Sequence, residues 1–205
     1  MKWLIPNFMR TREDPLWVES ELVVVDLELT GLDVNLHEIV SVAWVEINQG
    51  KIALQSAQYK INKDVHKLAQ SPIYHGISEP EIAQSGEHIE MILSTLARVL
   101  DRRILVCHNA SLDWGFIQKY FVQHGLSVKP KAIVDTLKLE RKRLLRAQEV
   151  IRQDQLTLPA CRVRYGLPAY QNHNALSDAL ATAELLLAQV GQLDSQKTIK
   201  LSKLV

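Results

Sequence analysis

The sequence predicts an α/β domain built on one mixed sheet, and three observations lead there. The unbroken β-branched run Leu22-Val23-Val24-Val25 has the composition of a central strand covered on both faces. Two further strand candidates, His37–Ile47 and Lys51–Ile61, are separated by Asn48-Gln49-Gly50, a hairpin turn in which glycine supplies positive φ. Beyond residue 87, short apolar strands alternate with segments of helical period.

Taken in order, the first three strands make an antiparallel meander. Residues 87–100 then set Ile89, Ile92, Leu93, Leu96 and Leu100 at the spacing of an amphipathic helix. Ile104–Cys107 reads as a short strand, and Ser111–His124 as a helix stopped by Gly125. Lys131–Val134 is a fifth strand, followed by a helix from Asp135 to about Gln148. Residues 156–165 form a short helix, and Ala175–Val190 a longer one ended by Gly191. Three segments are expected: an N-terminal extension over 1–20, the main domain over 21–192, and a loose polar tail over 193–205. The extension carries Trp3, Pro6, Pro15 and Trp17, and is expected to pack on the domain outside its core, with surface for an interface.

Composition excludes several classes. Of 205 residues, 47% are hydrophobic and 23% charged, enough apolar material for a sizeable core without cross-links. The net charge of +1 gives no global basic field, so a polyanion must be bound by a local patch or through metal ions. No stretch approaches the roughly 20 apolar residues of a membrane span, and the first ten residues lack a secretory apolar core, so a cytoplasmic location and no membrane partner are expected. Cys107 and Cys161 lack metal-ligand spacing and are expected as reduced, semi-buried thiols.

The chemistry lies in acids at element ends. Asp26 and Glu28 are two apart on the first strand, so their side chains share a face. Adjacent like charges on a buried strand repel and are costly to desolvate, and a hard divalent cation relieves both problems. Asp113, at a strand-to-helix turn, and Asp178, in the first turns of the last helix, each suit a helix N-terminus and are unremarkable singly. Their conjunction is what carries weight. Lys138, Arg141, Lys142, Arg143 and Arg146 recur at helical spacing, as a solvated face or a stripe for phosphates, the solvated face being the better reading.

Asp26-Leu27-Glu28-Leu29-Thr30-Gly31-Leu32 resembles the first motif of the DEDDh exonucleases, D-x-E-T-T-G-L. His108-Asn109-Ala110-Ser111-Leu112-Asp113 is similar to the second, H-N-A-x-F-D, and His173-Asn174-Ala175-Leu176-Ser177-Asp178-Ala179 to the third, H-x-A-x-x-D-A. His75-Gly76-Ile77-Ser78 also looks like a family signature, with His75 structural. The motifs run in family order from Leu22 to Val190. The resemblance implies a ribonuclease-H-like fold and 3′-to-5′ hydrolysis of single-stranded DNA or RNA with two divalent ions, Mg²⁺ or Mn²⁺. By the same resemblance Asp26 bridges the ions, Glu28 and Asp178 complete the water-activating site, Asp113 supports the second ion, and His173 is the general base. Leu29, Thr30, Gly31 and Leu32 would wall the terminal nucleotide, with Gly31 permitting close backbone approach. His108 and Asn109 would lie beside the substrate, His108 mainly as a hydrogen-bonding support. Leu29 replaces the family's usual threonine, which removes a hydroxyl and keeps the backbone N–H; Leu112 replaces phenylalanine with similar hydrophobicity. A DNA polymerase is admitted as partner and a homodimer as assembly. The rivals are a non-catalytic 3′-end-binding accessory subunit of a polymerase, which has no need of four carboxylates, and an endonuclease on the same scaffold.

Overall fold

In a computed structural model, residues 14–68, 71–146, 150–194 and 198–205 are described. Strands β1 (Leu22–Leu29), β2 (Ile39–Asn48), β3 (Lys51–Ile61), β4 (Ile104–Cys107) and β5 (Ala132–Asp135) form one sheet in the order β3-β2-β1-β4-β5. The β1–β2 and β2–β3 pairs are antiparallel, and β1–β4 and β4–β5 are parallel. The mixed α/β architecture is therefore the expected one. The hairpin turn has Gln49 at φ 53 and Gly50 at φ 70, both left-handed, as a tight β2–β3 connection requires.

Side-chain alternation along β1 divides the core. Val23, Val25 and Leu27 face one layer, with helices α3 (Ile89–Leu100) and α4 (Ala110–Gln123); Ile92, Leu96, Phe116 and Phe121 fill it. Leu22 and Val24 face the other, against α7 (Ala175–Leu193) through Ala183, Leu186 and Val190. Asp26 and Glu28 continue the Leu22–Val24 phase and so project on the α7 side. At its start α7 meets the sheet through Ala175 and Ala179, which pack on Ala43 of β2. With three alanines at the centre of this contact and Tyr59 and Leu176 at its margin, helix and sheet approach closely, and the short side chain of Asp178 reaches the acids of β1.

Several expectations are corrected. Two short helices, α1 (Pro72–His75) and α2 (Glu79–Ser85), precede α3 in a segment with no assignment from sequence. Helix α5 covers Thr136–Leu144, and Asp135 is its N-cap, accepting from the N–H groups of Leu137 and Lys138; residues 147–149 lie outside the described residues. Gly191 does not end α7, which runs to Leu193. The tail is not loose where it is described: Leu201 and Leu204 are buried in the α7-side core, and Lys200 bridges to Leu16. Trp17 lies in that same core at 2% exposure, so it offers no surface for an interface; Trp3 lies outside the described residues. Cys107 and Cys161 are free and fully buried. No described helix is long and apolar enough to cross a membrane.

Candidate metal centre and cleft

Parallel pairing between β1 and β4 ends at Val24 opposite Val106, whereas β1 continues to Leu29. Asp26 and Glu28 therefore lie beyond the reach of β4, flanked on one side only, by Ala43 and Ser41 of β2. After Cys107 the chain turns through Asn109, at φ 77, into α4, which brings Asp113 to the gap that β4 leaves. The turn is fixed by Asp135, whose carboxylate accepts from the N–H groups of Asn109 and Ala110, both at 3.1 Å. One buried acid thus holds the starts of α4 and α5 together. Asp135 was not singled out in the sequence; its position at the end of a predicted strand and the start of a helix was the available signal.

Three elements thus bring four carboxylates together. Oxygen atoms of Asp26, Glu28 and Asp178 lie within 4.8 Å of one another, and Asp113 is a close electrostatic neighbour of Asp26. Asp113 and Asp178 are buried, Asp26 and Glu28 partly so. Among the described residues no lysine or arginine forms an ion pair with any of the four. Burial, with the charges of Asp113, Asp178 and Glu28, drives the Asp26 carboxyl well above the usual range. Burial and Asp178 push Glu28 up to about 7. Burial also raises Asp113, against the pull of the backbone N–H groups of Asp113 itself and Leu27. Asp178 is raised by burial and held back by the Tyr170 hydroxyl and the His173 N–H. An all-oxygen, all-anionic donor set with no internal cation fits hard divalent ions, which would lower every one of these values.

A cleft of about 710 Å³ opens beside the acids, lined by Glu28, Leu29, Thr30, Gly31, Leu32, Leu112, His75 and His173 among others. His173 has left-handed backbone at φ 63, uncommon for a non-glycine residue, and its N–H donates to Asp178 Oδ2 at 2.8 Å. This ties His173 to the third acid while its side chain lines the cleft. The next residue, Asn174, caps α7 by accepting from the N–H groups of Leu176 and Ser177.

The remaining predicted residues are mostly engaged within the protein. The close approach at Gly31 is internal: a Cβ there would meet the ring of His37 at 2.5 Å. The Thr30 hydroxyl is likewise engaged, accepting from the Glu38 N–H at 2.9 Å. His108 has both ring nitrogens occupied within the protein, Nδ1 by Thr136 Oγ1 at 2.8 Å and Nε2 by the Leu156 carbonyl at 2.9 Å, so its ring offers substrate no free nitrogen. The Asn109 side-chain oxygen accepts from Ser111 Oγ. His75 is structural, with Nε2 on Ser71 Oγ and Nδ1 accepting from the Ile77 N–H. The basic stripe does not line the cleft: Lys142, Arg143 and Arg146 border a separate groove between α5 and α7, and Arg143 is paired with Glu140.

Residues 23–186 match the model of a family described as Exonuclease. Among curated proteins, the chain is 28% identical over 193 residues to the DNA polymerase III PolC-type of Thermotoga petrophila, covering 93% of this chain and 13% of that protein. It is 28% identical over 175 residues to the same polymerase of Halalkalibacterium halodurans, covering 84% of this chain and 12% of that one. The chain thus spans about an eighth of these relatives. Among solved structures, an E. coli exonuclease I–single-stranded DNA complex with bound zinc superposes with a TM-score of 0.72 at 15% identity, over 87% of this chain and 42% of that one. Cell-death related nuclease 4 superposes with a TM-score of 0.70 at 17% identity, over 85% and 65%.

Proposed function

The chain belongs to the exonuclease family, and we propose that it hydrolyses phosphodiester bonds at the 3′ ends of single-stranded DNA or RNA, releasing nucleoside 5′-monophosphates. The observation that carries this reading is the convergence of Asp26, Glu28, Asp113 and Asp178 with no cation among them. These four would hold two divalent ions, Mg²⁺ or Mn²⁺. When bound, such ions activate a water and neutralise charge on the phosphate.

The remaining roles belong to the chain's own residues. His173, lining the cleft next to the acids, accepts the proton of the attacking water, for which an imidazole is suited near neutral pH. Leu29, Leu32 and Leu112 give the terminal base an apolar wall; Leu32 is 75% exposed, a cost that a stacked base would remove. Gly31 contributes through its backbone, since the Thr30 hydroxyl and N–H both already serve Glu38. The PolC-type relatives are DNA polymerases, which supports a proofreading or repair role beside a polymerase.

The test is turnover of a 3′-labelled oligonucleotide with Mg²⁺ or Mn²⁺. Metal-dependent release of mononucleotides, abolished in Asp26→Ala, is expected. Oligonucleotide products would point to an endonuclease, and unchanged turnover in Asp26→Ala would remove the basis of the proposal.

A further inference from the structure

The loop between α6 (Leu158–Arg164) and α7 carries a tyrosine that none of the motifs contains. Tyr170 donates its phenol hydroxyl to Asp178 Oδ1 at 2.6 Å, while the His173 N–H takes Oδ2 at 2.8 Å. Both oxygens of the third acid are therefore fixed, and with them the rotation of the carboxylate plane.

Tyr170 is itself held by a buried cation. The Arg162 guanidinium lies 4.9 Å from the centre of the Tyr170 ring, and the arginine side chain is 3% exposed. Arg162 Nη1 donates to the Ala181 carbonyl at 2.7 Å, and Nη2 reaches the Pro168 carbonyl at 3.1 Å and Glu184 at 2.7 Å. Ala181 and Glu184 belong to α7, the helix that carries Asp178, and Pro168 belongs to the loop that carries Tyr170. A planar guanidinium can donate in its plane and stack on an aromatic face at once, which a lysine cannot. The ring is thus positioned with respect to the helix whose acid it grips.

We propose that Tyr170, seated on Arg162, is a positioning residue for the metal ligand Asp178, setting the affinity of the centre for its divalent ion. The inference rests on the reading of the acid cluster as a metal centre. Groups that hydrogen-bond a metal ligand orient it, and their loss weakens metal affinity about 10- to 100-fold. A phenol that merely satisfied a buried carboxylate would contribute stability alone.

The chain contains a matched control. Tyr165 also donates its hydroxyl to a carboxylate, Glu140 Oε2 at 2.8 Å, away from the four acids. Tyr170→Phe and Tyr165→Phe each delete one phenol–carboxylate hydrogen bond and keep the ring. Mn²⁺ binding to wild type and both variants is measured by titration without nucleic acid, with thermal midpoints recorded alongside. The expected result is an Mn²⁺ affinity about 10-fold weaker in Tyr170→Phe, with the Tyr165→Phe value within about twofold of wild type. Rate measurements should then show Tyr170→Phe recovering toward wild-type kcat as Mn²⁺ is raised. Equal Mn²⁺ affinity in wild type and Tyr170→Phe overturns the positioning role and leaves the metal centre standing. Absence of Mn²⁺ binding by wild type overturns both.

Discussion

Glu140 of α5 and the acids around Asp26 of β1 both face helix α7, at Gln189 and Asp178 respectively, and solve the burial of carboxylates in opposite ways. Glu140 is fully buried and surrounded by donors: Arg143 at 2.6 Å, Arg164 at 3.1 Å and the Tyr165 hydroxyl at 2.8 Å. Burial works against its ionisation, yet the hydrogen bonds of Arg143 and Tyr165 and the charges of both arginines prevail and hold its carboxyl below the usual range. At the β1 end four carboxylates gather with no lysine or arginine paired to them among the described residues, and burial and mutual repulsion raise them. A chain that can neutralise one buried acid with two arginines and supplies none to four others has left room for a cation of another kind. The first arrangement ties α5, α6 and α7 together; the second costs stability in the absence of a counter-cation.

The comparison is broken most severely by removing one acid from each side. Asp26→Ala should lower turnover of a 3′-labelled oligonucleotide on the order of 10³-fold or more while retaining the wild-type circular dichroism spectrum. Glu140→Ala should do the reverse in kind, losing about 3 kcal/mol in denaturant unfolding because two arginines are left facing an empty partner. Wild-type stability in Glu140→Ala would show that its ion pairs are ornamental.

A smaller effect sharpens the contrast by its sign. Glu28→Gln should stabilise the metal-free protein at pH 8 by about 1–2 kcal/mol, since it removes a charge that folding places against its neighbours. Urea unfolding in the presence of a chelator measures this, and a loss of stability would mean that Glu28 is already neutralised within the fold.

The smallest expected effect is a pH slope. Glu28 titrates at about 7 in the folded chain, against about 4.3 for a free glutamate. Between those values the folded protein holds a proton that the unfolded chain has released. The contribution to stability is present below about pH 4 and lost as pH rises through about 7. The metal-free protein should therefore weaken from pH 5 to pH 8, and Glu28→Gln should weaken less. A flat wild-type profile would contradict the raised carboxylates.

What could be read from the sequence follows the range of the forces involved. The β1 acids were legible because alternation along a strand is local, and β1 was under-read only in length, its motif residues Asp26 to Leu29 being strand rather than strand end. Asp113, His173 and Asp178 were legible through motif order. Helices α1 and α2, of 4 and 7 residues, are too short to display a 3.6-residue period. Gly191 lowered the expected reach of α7, yet one glycine costs only about 1 kcal/mol and the helix continues to Leu193. The tail hid its packing because Leu201 and Leu204 are separated by Ser202 and Lys203 in a run too short to display a period, and are buried by a surface that exists only after the sheet has formed. Tyr170 was missed for the same reason, since its partner Asp178 comes from another element; the supporting role of His108 was legible from its place at a strand end, but its partners Thr136 and the Leu156 carbonyl were not.

The central claim is that the four carboxylates form a divalent-cation site, and the thermal midpoint at pH 8 with and without saturating Mn²⁺ tests it most directly. Binding to the folded state alone should raise the wild-type midpoint by about 5 °C or more, and by much less in Asp26→Asn. A wild-type midpoint indifferent to Mn²⁺, or an Asp26→Asn midpoint that rises equally, would contradict it.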